Sequence, residues 1–131
     1  TVAPFICYDV VYPDFVAKQS TDSGLIITIS NDAWFGLSNG PLQHLGIVKM
    51  RALENGRYVL RSTNTGVTAL IDHKGNVVDR LPQMEFGVLK AQAQIRSGNT
   101  PFNIWGSWPI LILCFGLLGG IFIRHRLNQQ V

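Results

Sequence analysis

Charge is missing from one long stretch of this sequence: Ser97 to Ile123 contains no Asp, Glu, Lys or Arg. Elsewhere the chain lacks Lys/Arg runs and basic stripes interleaved with aromatics, which sets nucleic acid aside as a partner. There are two cysteines, Cys7 and Cys114, in very different surroundings: one closes an apolar strand, the other sits in a lipid-like run. That contrast argues against a disulfide, and neither has a second Cys or a His at metal-ligand spacing, which argues against zinc. No internal repeat or low-complexity segment is present. The formal net charge is +3, and Arg124 and Arg126 supply two of those units, so the remainder is nearly neutral. What is there is an apolar fraction of 47%, ordinary for a folded chain. A length of 131 residues holds one domain, or one domain with a small appendage. Val2 to Ile6 is already strand-like, so the chain reads as a piece of something longer.

The uncharged stretch predicts a membrane helix. About 20 apolar residues cross a bilayer, and Ile104 to Ile123 meets that length. Ten Leu, Ile or Phe residues lie between Ile110 and Ile123. Together they favour insertion by roughly 3–6 kcal/mol. Trp105 and Trp108 stand where an interfacial belt would lie, Pro109 suits a first helical turn, and Arg124, His125 and Arg126 close the other end. The positive-inside tendency then predicts a cytoplasmic C-terminus, with residues 1–98 on the outer side. Gly116 and Gly120 form a GxxxG pair that would let another helix approach. The bland alternative is a buried core helix.

Ahead of that segment the pattern is layered. Val2 to Cys7 reads as a strand, Pro13 to Ser20 as a short helix opened by proline, and GLIITIS (Gly24 to Ser30) as a strand buried on both faces. Asn31 to Gly40 is a loop. Pro41 to Asn55 carries Leu42, Leu45, Val48, Ala52 and Leu53 at helical spacing, with Gly56 as the stop. Tyr58 to Thr63, Val67 to Ile71, Val77 to Arg80 and Gly87 to Ala93 read as strands separated by turn chemistry. This order predicts an α/β domain over residues 1–96, a linker over 97–103, a transmembrane helix over 104–123 and a tail over 124–131.

Cys7 falls where an apolar strand hands over to Tyr8-Asp9. Nucleophiles favour such strand ends, because the strand is rigid, the turn exposes the side chain, and amides beyond it can stabilise an oxyanion. An ordinary thiol is mostly protonated at neutral pH and needs a base and a positive neighbour. A buried structural cysteine is the competing reading. Asp9 reads either as active-site support or as a turn residue bonding local backbone. Trp34 and Phe35, in a Gly-bounded loop, read as an apolar entry to a site or as loop packing. His44 follows that loop and would make a Cys–His pair only under a separate, peptidase-like hypothesis. Glu54 reads as a structural partner of Arg51, and His73 as a solvated turn residue.

Ile6-Cys7-Tyr8-Asp9 with Pro13, then SNDAWFG (Ser30 to Gly36), then RALENGRYVLRSTNTG (Arg51 to Gly66), form an ordered set that resembles the C-terminal half of the nitrilase superfamily. Within it the pattern is most similar to the apolipoprotein N-acyltransferases. Soluble amidases of the superfamily usually carry Arg two residues before the proline, where this chain has Val11. The resemblance implies the C-terminal half of a nitrilase-like αββα sandwich followed by one transmembrane helix. It also implies a Glu-Lys-Cys triad in which Cys7 matches the nucleophile, with Tyr8 and Asp9 beside it. The acyltransferases usually have Glu where this chain has Asp9. The Glu and Lys of the triad are expected upstream of Thr1, so this piece alone is expected to be catalytically inactive. The implied reaction passes a fatty acyl chain from a phospholipid to Cys7 as a thioester. It then goes to the N-terminal amine of an apolipoprotein's diacylglyceryl-cysteine, at the periplasmic side of a bacterial inner membrane, with no metal or organic cofactor. Two other classes stay open: an amidase hydrolysing a small C–N bond, and a tail-anchored, non-catalytic domain.

Overall fold

The computed structural model describes residues 1–128; the last three residues of the tail predicted over 124–131 lie outside them. Strand β1 (Val2–Ile6) runs into a 3-10 turn over Cys7–Val11, followed by α1 (Pro13–Ser20), β2 (Leu25–Ser30) and a short 3-10 turn at Ala33–Phe35. Helix α2 (Gly40–Asn55), β3 (Tyr58–Thr63), β4 (Ala69–Ile71) and β5 (Val77–Arg80) complete the layered part. The sheet has the order β1-β2-β3-β4-β5. The first three strands are parallel, and β4 and β5 join antiparallel. Parallel pairing requires crossovers, and α1 and α2 supply them. Proline opens α1, and the left-handed Gly56 closes α2.

Strand alternation decides which side chains meet the helices. Ala3, Ile26, Val59 and Ile71 share one transverse row, and Phe5, Thr28, Arg61 and Ala69 the next. All eight are buried. The apolar members pack on Val16 of α1 and on Leu45, Val48 and Ala52 of α2 as one core. Arg61 therefore sits in a core row, pointing inward from the same strand as Val59.

The other face is covered only in part. Leu25, Tyr58 and Leu70 cluster there with Ile27, Leu60 and Ala93, while Ile6 is 71% and Ile29 60% exposed. This corrects the expectation that β2 is buried on both faces: an apolar run reports that a strand is apolar, not how many layers cover it. The αββα arrangement that the resemblance implies would place a second sheet against this face. The strand expected over Gly87 to Ala93 is also absent. That segment forms no ladder, and Val88 is exposed. The sheet ends at β5, and this stretch does not extend it.

At the C-terminal side, α3 (Pro101–Trp105) precedes α4 (Trp108–Asn128). The helix expected to begin at Ile104 is split at Gly106, whose φ of +56° ends α3. A side chain at Gly106 would overlap Asp14, whose carboxylate accepts from the Ser107 amide and hydroxyl at 2.8 and 2.7 Å. Thr100 caps α3 by accepting from the Asn103 amide at 3.1 Å and donates to the Glu54 carbonyl at 2.5 Å. Asn103 Nδ2 donates to Asn55 Oδ1 at 2.6 Å. The polar residues of the expected linker thus pin α3 to α1 and α2. Trp108–Arg126 is long and apolar enough to cross a membrane, and none of it is buried against the rest of the chain.

Candidate active site

Cys7 has a φ of +53°. Left-handed backbone at a residue with a β-carbon costs about 1–3 kcal/mol, so the surrounding turn must hold it. Asp9 does so locally: the Ile6 amide donates to Asp9 Oδ2 at 3.1 Å, and the Tyr12 amide to the Asp9 carbonyl at 3.3 Å. Asp9 is thus a turn residue that binds local backbone. At the far end of the turn, the Arg51 Nη1 donates to the Val11 carbonyl at 3.4 Å, and Arg51 pairs with Glu54 at 2.9 Å.

Because Ile6 pairs with Ile29 in parallel register, the next residues, Cys7 and Ser30, finish side by side at the carboxyl end of the sheet. A cavity of about 500 Å³ opens there, lined by Cys7, Ile29, Ser30, Asn31, Thr63 and Asn64 among others. The loops after β2 and β3 form its rim. Asn64 Oδ1 accepts from the Asp32 amide at 3.1 Å, and Asn64 Nδ2 donates to Asn31 Oδ1 at 2.6 Å.

Beneath Cys7 lies a buried charged cluster that the sequence reading did not assemble. Arg61 Nη2 meets Asp32 Oδ2 at 2.5 Å with neither side chain exposed. Asp32 Oδ1 accepts from the Ser30 hydroxyl at 2.6 Å and lies 3.1 Å from His44 Nδ1. Arg61 Nε also donates to the Val67 carbonyl at 3.2 Å. A β-carbon at Gly66 would overlap the Asp32 carboxylate, so only glycine lets the loop close over it. Burial pushes the Arg61 pKa down, while Asp32 and Cys7 pull it up. The guanidinium stays charged, since no protein environment of this kind strips its proton. The clue in the sequence was Arg61 itself, a charged residue with the same parity as the inward-facing Val59.

His44 is buried, and its pKa is lowered from the ordinary 6.5, chiefly by burial and then by the Arg61 charge; Asp32 and the Cys7 carbonyl oppose this. The Asp32 contact assigns the proton of the neutral ring to Nδ1, and the guanidinium 3.3 Å away disfavours a second positive charge. A lowered folded-state value means that the unfolded chain takes up a proton first as pH falls. Stability from His44 is therefore complete above about pH 6.5 and is lost as pH drops toward its lower folded value. Unfolding midpoints measured from about pH 7.5 to about pH 5 should fall more steeply for the native protein than for His44→Gln.

Of the residues singled out from sequence, Tyr8 and Phe35 converge on His44, with ring centroids 6.0 and 6.5 Å away. They line a small cavity of about 70 Å³. Trp34 joins neither cavity and is 89% exposed, so it does not pack on the core. The hydrogen-bond partner of the Cys7 sulfur is Ser30, at 3.8 Å, not His44. His73 is half-buried against the Tyr58 ring, 5.8 Å away, rather than fully solvated.

Residues 1–99 match the family described as carbon-nitrogen hydrolase. The chain is 50% identical over 130 residues to the apolipoprotein N-acyltransferase of Pseudomonas syringae pv. tomato, covering 99% of this chain and 26% of that protein. It is 52% identical over 128 residues to the one from Azotobacter vinelandii, covering 98% and 25%. With the one from Shewanella oneidensis it shares 50% over 130 residues, covering 98% and 25%. The chain spans about a quarter of the length of these curated relatives. Among solved structures, an amidase of the nitrilase superfamily from Nesterenkonia AN1 is similar with a TM-score of 0.52 and 19% identity. That match covers 66% of this chain and 35% of the amidase, a likeness of fold.

Proposed function

The chain belongs to the carbon-nitrogen hydrolase family, and from that premise we propose that it is the C-terminal part of a membrane-bound N-acyltransferase whose nucleophile is Cys7. The substrates are a phospholipid acyl donor and the free N-terminal amine of a diacylglyceryl-cysteine on an apolipoprotein. The observation that carries this reading is Cys7 held at φ +53° at a strand end, with its sulfur beside a cavity of about 500 Å³. The relatives' identity of about 50% across both the layered domain and the apolar helix supports it.

The proposed chemistry has two steps. The Cys7 thiolate attacks the ester carbonyl of the phospholipid, the C–O bond breaks, and a lysophospholipid leaves with the proton taken from the thiol. The amine then attacks the thioester, the C–S bond breaks, and the thiol is restored. Dividing one difficult transfer into two easier ones is the gain from a covalent intermediate. In this reading the Glu and Lys that the family resemblance assigns to base and oxyanion roles come from outside residues 1–131, and this chain alone is expected to be inactive. Assay of the isolated chain with phospholipid and lipopeptide is expected to give no transfer.

Residues 1–96 form the catalytic part in this reading, 97–103 the link, 104–123 the membrane span and 124–131 a cytoplasmic tail. The active site lies at the outer surface of the inner membrane. Anchoring suits the substrates, because both are held in the bilayer and a tethered site meets them at raised effective concentration. Tyr8, Asp9 and Phe35 support the site, while Trp34, exposed beside Phe35, is left to meet the acyl chain. Asp9 fixes the turn, while Tyr8 and Phe35 form one aromatic wall beside His44. Mass spectrometry of the full-length enzyme incubated with phospholipid is expected to find one fatty acyl group on Cys7. Turnover with an unmodified Cys7 would overturn the reading.

A further inference from the structure

We propose that Ser30 is a hydrogen-bonding partner of the reacting sulfur, switching its single proton between Asp32 and Cys7 during the acyl-transfer cycle. The inference rests on Cys7 being the nucleophile. Ser30 is buried at the end of β2, with its hydroxyl 2.6 Å from Asp32 Oδ1 and 3.8 Å from Cys7 Sγ. A serine hydroxyl offers one proton and two lone pairs, so it cannot donate to both neighbours at once.

With Cys7 as a thiol, the short contact to the carboxylate takes the Ser30 proton, as charge-assisted O–H···O⁻ bonds do. The Cys7 S–H can then point at a serine lone pair. Once a base removes the S–H proton, two sets of lone pairs face each other. Rotation of the hydroxyl turns its proton to the thiolate and removes that repulsion. Asp32 can release the proton because Arg61 on Oδ2 and His44 on Oδ1 remain in place. One proton leaves the group in this exchange, the one that passes from sulfur to the base; the serine proton only changes direction. When sulfur is esterified its negative charge is gone, and the hydroxyl turns back to Asp32. The buried charged cluster thereby positions a switchable donor beneath the nucleophile.

The test uses the full-length enzyme with Ser30→Ala and Ser30→Thr. Iodoacetamide alkylation of Cys7 at one fixed neutral pH reads thiolate stabilisation whether or not lipid is the substrate. Ser30→Ala is expected to slow alkylation and thioester formation about tenfold, with KM for phospholipid unchanged. Ser30→Thr, which keeps the hydroxyl, is expected to restore both to within about threefold. Unchanged alkylation in Ser30→Ala, or equal loss in both variants, overturns the proposal. A further readout needs no folded serine variant: the Cys7 S–H infrared band, identified by its disappearance in Cys7→Ala, is expected at the frequency of a hydrogen-bonded thiol. A band at the free-thiol position overturns the proposal too. If alkylation responds as expected and no lipid thioester ever forms on the native enzyme, the acyltransferase reading fails and the Ser30 assignment stands.

Discussion

Exchange of Cys7 for alanine in the full-length enzyme is expected to lower acyl transfer by about three orders of magnitude or more, and to remove the lipid mass from the protein. Loss of a nucleophile has effects of this size, because no other group can carry the intermediate. Steady-state transfer of a labelled acyl chain to a lipopeptide measures the first effect, and intact-protein mass the second. The backbone supplies a control for misfolding. Alanine meets the same left-handed penalty as cysteine, whereas glycine adopts φ +53° freely. Cys7→Gly is therefore expected to be as inactive as Cys7→Ala yet no less stable than the native protein. Retained transfer in either variant would make Cys7 a structural residue and leave a non-catalytic domain as the better description. Hydrolysis of a small amide with no lipid adduct would favour the amidase alternative, against which Val11 already speaks.

The second large effect is expected from the buried pair. Asp32→Ala or Arg61→Ala each leaves one charge stranded where no water reaches, and each is expected to cost about 3–5 kcal/mol of stability. The two partners are fully enclosed and 2.5 Å apart, which is why surface ion-pair values do not apply. Most of that loss is the penalty of an unpaired buried charge rather than the worth of the pair. The double replacement Asp32→Leu with Arg61→Met is therefore expected to be markedly more stable than either single variant. Denaturant unfolding of the native protein, the two single variants and the double variant checks this. An Arg61→Ala variant within about 1 kcal/mol of native would show that the cluster is not a closed, water-free unit. Gly66→Ala tests the same cluster without touching a charge. Its β-carbon would push on the Asp32 carboxylate, and overpacking of this kind costs about 1–3 kcal/mol.

The sequence by itself determined the alternation of elements, because the apolar spacing of α2, the proline at the start of α1 and the β-branched run of β2 are local signals. It also determined the uncharged helix and the place of Cys7 at a strand end. Ordered motifs carried the family resemblance before any geometry. Less visible was how many faces of β2 would be covered, since a continuous apolar run has the same composition whether one layer or two lie against it. Gly87 to Ala93 has the residues of a strand, yet a strand exists only with a partner, and this stretch pairs with none. The break between α3 and α4 was not legible locally, because the Asp14 carboxylate that holds Ser107 lies far away in the chain. Only the tertiary structure brought Ser30, Asp32, His44 and Arg61 together under the sulfur. Each stood in view inside or beside a recognised motif, but a buried ion pair is a property of two strands, a loop and a helix in register. Parallel pairing of β1, β2 and β3 places their carboxyl ends side by side, and that juxtaposition puts a serine proton within reach of the nucleophile.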